Sequence, residues 1–116
     1  MVIIDDDEID VQPVERRVEP RGVFPGLYAR ILTAAGAGES HEVLEASRVG
    51  FFLRMRMPDV LPLGAEVELV LAIEGETIPL RGIVLRKEID PRRGIAIGIT
   101  DIDSDAETAY QRILGL

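Results

Sequence analysis

The sequence contains no cysteine, no tryptophan and a single histidine, and aromatic residues make up only 4% of its 116 residues. Without cysteine the chain forms no disulfide, no thiolate metal site and no cysteine nucleophile. One histidine excludes a histidine-rich metal cluster and the two-histidine motif of metalloproteases. Because aromatic residues are so few, the base-stacking surfaces of proteins that bind single-stranded nucleic acids are not expected.

Long apolar runs are also missing. No stretch approaches the roughly 20 apolar residues that a transmembrane helix needs, so we expect no membrane insertion. The first ten residues, MVIIDDDEID, lack the basic segment and the long apolar stretch of a signal peptide, which favours a cytoplasmic protein. A hydrophobic fraction of 47% and a charged fraction of 29% are typical of a soluble globular domain.

Acidic residues are concentrated at the N-terminus. Six of the 21 acids, and no base, lie in residues 1–15, and the remaining 15 acids nearly balance the 13 bases. The net charge of −8 disfavours binding to a nucleic acid polymer, since such binding depends on neutralising phosphates. Twelve of the 13 bases are arginine, however, and arginine suits the two-pronged recognition of a small anion or a guanine edge.

The distribution of charge and proline divides the chain into two parts. Residues 1–14 form an acidic leader that ends near Pro13, and residues 15–116 form the domain itself. A solvated, mobile tail is the plain interpretation of the leader. A short edge strand at residues 2–4 is the alternative.

From residue 27 onward, short segments with apolar residues at alternate positions predict β-strands. Turn signals separate them about every ten residues with no long helix between them, which favours antiparallel β structure. Such strands leave exposed edges unless they close into a barrel. We expect strands at 27–34, 41–47, 49–57, 66–73, 77–86 and 94–100, with a hairpin turn at Glu74-Gly75-Glu76.

Four arginines near these strands are expected to be solvated; the alternative for Arg54 and Arg56 is that they flank a binding surface. Arg54 and Arg56 share one face of the strand at 49–57, because side chains two residues apart point the same way. Arg92 and Arg93 lie in the turn DPRRG and are expected to face solvent.

Near the C-terminus the pattern predicts a short helix. Ser104 and Glu107 have the spacing of a capping box, with Ser104 as the N-cap. Ala109 and Ile113 give the segment an apolar face, and Gly115 marks its end. This helix is expected to cover one end of the barrel or a seam in its wall.

The segment ERRVEPR carries the first candidate binding residues, Arg16, Arg17 and Arg21. Two guanidiniums a few residues apart can grip one phosphate or fork onto one guanine edge. The plain alternative is an arginine-rich linker that is solvated or paired with the acidic leader.

The segment EASRVG carries the second group of candidates. Glu45 and Ser47 are two residues apart, which places both side chains on one face of a strand. Gly50 lets the backbone bend or approach a ligand closely. The plain alternative is a strand-to-strand turn with a bulge at Gly50.

Together the two segments resemble the PilZ domain family, whose pattern is R-x-x-x-R in an N-terminal arm followed by [D/N]-x-S-x-x-G. Arg17 and Arg21 match the first part, and Ser47 and Gly50 match the second, with Glu45 in place of Asp or Asn. The segments PLGAEVELVLAI, IPLRGIVLR and GIAIGITDID are similar to the family's later strands, so the resemblance covers nearly the whole domain.

The resemblance implies a six-stranded antiparallel β-barrel with a short C-terminal α-helix that binds the bacterial second messenger cyclic di-GMP. It implies that the arginines clamp the phosphates and one guanine edge, and that the second segment reaches the other guanine edge. The implied ligand-binding residues are Arg16, Arg17, Arg21, Glu45, Ser47 and Gly50.

The resemblance also implies a receptor rather than an enzyme. Such a domain changes its surface when cyclic di-GMP binds and so regulates an effector protein, in motility, pilus or exopolysaccharide control. Beyond that ligand, no cofactor or metal is expected. The alternative is a PilZ-like protein–protein adapter that has lost cyclic di-GMP binding. Both a monomer and a dimer are compatible with the sequence.

Overall fold

The computed structural model describes residues 22–32 and 38–116, and within these ranges six antiparallel strands close into a barrel. The strands are β1 (Tyr28–Ile31), β2 (Ser40–Ser47), β3 (Gly50–Arg54), β4 (Glu66–Ile73), β5 (Glu76–Glu88) and β6 (Gly94–Asp101). Around the barrel their order is β1-β2-β3-β6-β5-β4, and β1 pairs with β4 to complete the ring. The expected fold is therefore confirmed.

Alternating apolar residues fill the interior of the barrel. In β4, Val67, Leu69 and Leu71 are buried, whereas Glu66 and Glu68, which alternate with them, are exposed. Successive side chains of a strand point to opposite faces, so each strand supplies one row to the core and one row to the outer wall. Burying a residue such as leucine contributes about 1.5–3 kcal/mol, and these rows meet in a single core.

The β4–β5 connection is the tight hairpin that the sequence predicts. Ile73 pairs with Glu76, and Glu74 and Gly75 form a two-residue loop in which both have positive φ, of 50° and 84°. Two positive φ angles are the requirement of the hairpin turn that matches the twist of paired strands, and glycine meets it without strain.

The third strand is shorter than expected, because β3 ends at Arg54 rather than near residue 57. The N–H of Met55 still bonds to the carbonyl of Arg93 (3.0 Å), but the chain then turns into a 3-10 helix at Pro58–Val60. Proline has no N–H to offer a strand ladder. The prediction that Arg54 and Arg56 share a strand face is therefore wrong.

Two β-bulges decide which side chains face outward. The register shifts between Val43 and Glu45 in β2, and between Val84 and Arg86 in β5. A bulge inserts one extra residue, after which the alternation of faces restarts. Val43 and Val84 consequently lie in the core, while Glu45 and Arg86 lie on the outer wall. The alternative interpretation of the segment EASRVG is a strand-to-strand turn with a bulge at Gly50. The bulge is not there, because Gly50 pairs with Ser47 and Gly98 without a shift of register.

An α-helix, α1 (Ser104–Leu114), packs against the barrel through Ala106 and Tyr110, which belong to the core. Ala109 and Ile113 are partly buried beside them, as the sequence predicts. Among the described residues, no helix has the length and apolar character that crossing a membrane requires.

The N-cap of α1 is Asp103, one residue before the predicted Ser104. Its carboxylate accepts a hydrogen bond from the N–H of Ala106 at 2.9 Å. A carboxylate satisfies a free N–H and also faces the positive end of the helix dipole, which explains why it takes this position. The helix ends as predicted, at Gly115 with a left-handed φ of 83°.

The two candidate caps are separable by mutation. We expect Asp103→Ala to lower the free energy of unfolding by about 1 kcal/mol, because it removes the N-cap acceptor. Ser104→Ala is the matched control and is expected to change stability by less than about 0.5 kcal/mol. Urea unfolding of the three proteins measures both values. A larger loss for Ser104→Ala than for Asp103→Ala would contradict the assignment of the cap.

Candidate ligand-binding site

A small cleft of about 60 Å³ lies on the outer wall of the barrel, across β2, β3, β6 and β5. The strand register places four of its residues in one line. Glu45 pairs with Phe52, Phe52 with Ala96, and Ala96 with Arg86. We call Glu45, Phe52, Ala96 and Arg86 the outer row. It presents a carboxylate at one end, a guanidinium at the other and an aromatic ring between them.

A second line of residues beside the outer row contains two glycines. Ser47 pairs with Gly50, and Gly50 with Gly98. A Cβ at Gly50 would overlap the carbonyl oxygen of Ile97, so no other residue fits without a shift of the backbone. The two glycines leave this part of the wall without side chains, and the role of Gly50 toward a ligand stays a prediction.

The hydroxyl of Ser47 lies inside the β2–β3 turn. It accepts a hydrogen bond from the N–H of Val49 at 3.3 Å and lies 3.5 Å from the carbonyl oxygen of Gly50. Ser47 is only 3% exposed, and its own carbonyl accepts a hydrogen bond of 2.6 Å from the hydroxyl of Tyr110. Its local contacts hold the turn in shape, and its role toward a ligand stays a prediction.

The carboxylate of Glu45 is paired with Arg92, a residue expected to face solvent. Nη1 of Arg92 lies 3.2 Å from Glu45, and the guanidinium carbon lies 3.9 Å from the centre of the Phe52 ring. The side chain of Arg92 is 30% exposed. The solvent-facing interpretation is therefore wrong, because the turn after β5 folds this arginine back over the outer row.

A second carboxylate, Glu88, holds the other edge of the same guanidinium. Nε and Nη2 of Arg92 lie 3.2 and 3.3 Å from its two oxygens, and Arg86 reaches it at 2.8 Å. These hydrogen bonds, that of Arg92 first, hold the pKa of Glu88 below its usual value. The bond to Glu88 raises the pKa of Arg92, against an opposing effect of partial burial.

Phe52 and Arg92 carried little signal in the sequence. Phe52 alternates with core residues, which places it on the outer face of its strand. Arginines are near it in the sequence, and an arginine side chain can stack on an aromatic ring. Nothing in the turn DPRRG distinguishes Arg92 from Arg93. Only the pairing of β5 with β6 brings Arg92 above the ring.

The arginine arm of Arg16, Arg17 and Arg21 lies outside the described residues, as do the acidic leader and the alternative strand at 2–4. The described chain begins at Gly22, which exchanges two backbone hydrogen bonds of 3.0 Å with Ala46. Ala46 stands between Glu45 and Ser47 in β2. The chain thus enters the described structure beside the second group of candidate residues.

Comparison with known proteins supports the fold. Neither a family model nor a curated protein matches the sequence. An uncharacterised Legionella protein of known structure is 21% identical with a TM-score of 0.58, over 82% of this chain and 89% of that one. A Bacillus subtilis inhibitor of motility (MotI/DgrA) is 18% identical with a TM-score of 0.66, over 88% of this chain. The aligned region covers 53% of that protein, so this chain spans about half its length.

Proposed function

We propose that the chain is a PilZ-type receptor that binds cyclic di-GMP over the outer row and regulates an effector protein. The observation that carries the proposal is the pairing of Gly22 with Ala46. Arg21 is joined to Gly22 by a peptide bond. Arg17 is five residues from Gly22, so its Cα lies within about 18 Å of that glycine even in a fully extended chain. The length of the chain between them and Gly22 therefore allows both arginines of the R-x-x-x-R segment to reach Glu45 and Ser47.

The chemistry of the ligand fits these groups. Cyclic di-GMP carries two phosphates, which suit arginine, and two guanines, whose O6 and N7 acceptors suit arginine as they do in DNA. The opposite guanine edge presents N1–H and N2–H₂ donors, which suit the carboxylate of Glu45. The ring of Phe52 is already stacked against the planar guanidinium of Arg92, and a guanine base has the same planar shape.

Regulation of motility through an effector protein is the process that we favour. The similarity to the Bacillus subtilis inhibitor of motility supports this choice. We propose that the bound ligand changes the surface that the domain presents to its effector.

A matched pair of leucine substitutions tests the site. Leu85 lines the cleft and is 59% exposed, whereas Leu32 is 45% exposed on the opposite side of the barrel, where β1 meets β4. We expect wild-type protein to bind cyclic di-GMP in the micromolar range by calorimetry. Leu85→Glu adds a carboxylate to the lining of the cleft, where it repels the phosphates of the ligand, and should weaken binding at least about tenfold, or 1.4 kcal/mol. Leu32→Glu adds the same charge and should leave binding unchanged.

An adapter that has lost the ligand is the second candidate function. Its support is the pairing of Glu45 with Arg92, which occupies the carboxylate that would contact guanine. This candidate predicts a flat calorimetric trace at millimolar cyclic di-GMP for every variant of the cleft. Equal affinities for Leu85→Glu and Leu32→Glu would instead place the ligand elsewhere on the molecule.

A further inference from the structure

The pairing of Arg92 with Glu45 suggests a mechanism by which the site is kept closed. Arg92 makes two kinds of contact at once, since its guanidinium stacks on the Phe52 ring at 3.9 Å and its Nη1 forms an ion pair with the Glu45 carboxylate at 3.2 Å. Phe52 is 1% exposed although it lies on the outer wall, and the guanidinium of Arg92 covers one face of its ring. One planar group thus fills the slot between an aromatic face and a carboxylate.

The guanidinium and the donor edge of guanine are chemically alike. Both are planar, and both present adjacent N–H groups in the plane of the ring or fork. A carboxylate accepts two such donors side by side, and an aromatic ring stacks on either group. The Phe52–Glu45 slot therefore accepts the side chain of Arg92 or a guanine base, but not both together.

We propose that Arg92 is a placeholder that guanine must displace, and this inference rests on the proposed function. Glu88 makes the displacement feasible because it binds Nε and Nη2, the edge of the guanidinium that does not face Glu45. When Arg92 leaves the ring, Glu88 still holds its charge at the rim of the cleft. The apparent affinity equals the intrinsic affinity multiplied by the fraction of time that the slot is free of Arg92.

The test measures cyclic di-GMP affinity of Arg92→Ala against Arg93→Ala by calorimetry. Both variants lose one positive charge from the same turn. Within the described part of the chain, Arg92 contacts Glu45 and Phe52, whereas the side chain of Arg93 contacts neither. We expect Arg92→Ala to bind about tenfold more tightly than wild type, and Arg93→Ala to bind equally well or slightly more weakly. Simple attraction between arginine and phosphate predicts the opposite sign for Arg92→Ala.

Arg92→Lys separates planarity from charge and guards against a loss of packing over Phe52. Lysine keeps the positive charge and an alkyl stem but lacks the planar fork. The Arg92→Lys variant should therefore also bind cyclic di-GMP more tightly than wild type. Cyclic di-AMP is the ligand control, because adenine lacks the N1–H donor and should gain nothing from either substitution. Thermal melting of each variant checks that the barrel stays folded.

The possible results separate the two proposals. Tighter binding by Arg92→Ala, or binding by that variant alone, supports the placeholder. Weaker binding by Arg92→Ala than by Arg93→Ala, with wild type binding normally, overturns the placeholder and makes Arg92 a direct ligand contact. Flat traces for wild type and both variants overturn the receptor function itself and the placeholder with it.

Discussion

Arg17→Ala is expected to weaken cyclic di-GMP binding by about 150-fold. Hydrogen bonds to charged groups contribute about 1.5–3 kcal/mol each, and a forked guanidinium makes two, so a loss of about 3 kcal/mol is a conservative value. That free energy corresponds to roughly two powers of ten in affinity. Calorimetric titration of both proteins measures it.

Two further variants make the test specific. Arg17→Lys keeps the positive charge but loses the planar fork. We expect its affinity for cyclic di-GMP to be about tenfold lower than that of wild type, between wild type and Arg17→Ala. Arg81→Ala is the matched control, since Arg81 is an exposed arginine that pairs with Glu68 and Asp101 away from the cleft. If Arg17→Ala and Arg81→Ala bind equally well, the arm does not hold the ligand.

Tyr110→Ala is expected to lower the free energy of unfolding by about 3–5 kcal/mol, the usual cost of removing a large aromatic side chain from a core. Tyr110 is 1% exposed, and its hydroxyl donates to the Ser47 carbonyl at 2.6 Å. The residue therefore joins α1 to the β2–β3 turn. Urea unfolding monitored by circular dichroism measures the loss.

The hydroxyl alone is tested by Tyr110→Phe, for which we expect a loss of about 1–3 kcal/mol, because the Ser47 carbonyl is left without that donor. Tyr28→Phe is the matched control, since Tyr28 is exposed, and its effect should stay within about 0.5 kcal/mol. Equal stabilities of the two variants would show that the bond to Ser47 contributes nothing.

The burial of Tyr110 also makes the stability of the protein depend on pH. Removal from water raises the pKa of Tyr110 above its ordinary value of 10.0. A raised folded-state pKa means that the stability from the neutral hydroxyl is complete below pH 10 and is lost as pH rises further. The wild-type protein should therefore lose stability above pH 10 more steeply than Tyr110→Phe does.

The strands and their closure are predictable because the information is local. In β4 and β5 the apolar residues recur at every second position, and the Glu74-Gly75 turn fixes their pairing without help from distant residues. Gly115 likewise ends α1 through its own backbone freedom. These features are predictable from the sequence because each depends on a few neighbouring residues.

The composition of the cleft depends on contacts between distant strands. The bulges before Glu45 and Arg86 are set by the match of each strand to its neighbours, and they turn these two residues outward. Arg92 is 47 positions from Glu45 and meets it only because β5 and β6 pair next to β3. The identity of the N-cap was missed for a smaller reason, since Asp103 and Ser104 are both good caps and only the local backbone decides between them.

The most direct measurement is a titration of ¹⁵N-labelled protein with cyclic di-GMP followed by NMR. If the ligand binds over the outer row, the amide signals of Glu45, Ser47, Phe52 and Ala96 shift in a saturable manner. Signals from the opposite side of the barrel, at Leu32 and Glu68, stay in place. Shifts confined to that opposite side, or no shifts at millimolar ligand, would contradict the proposed site.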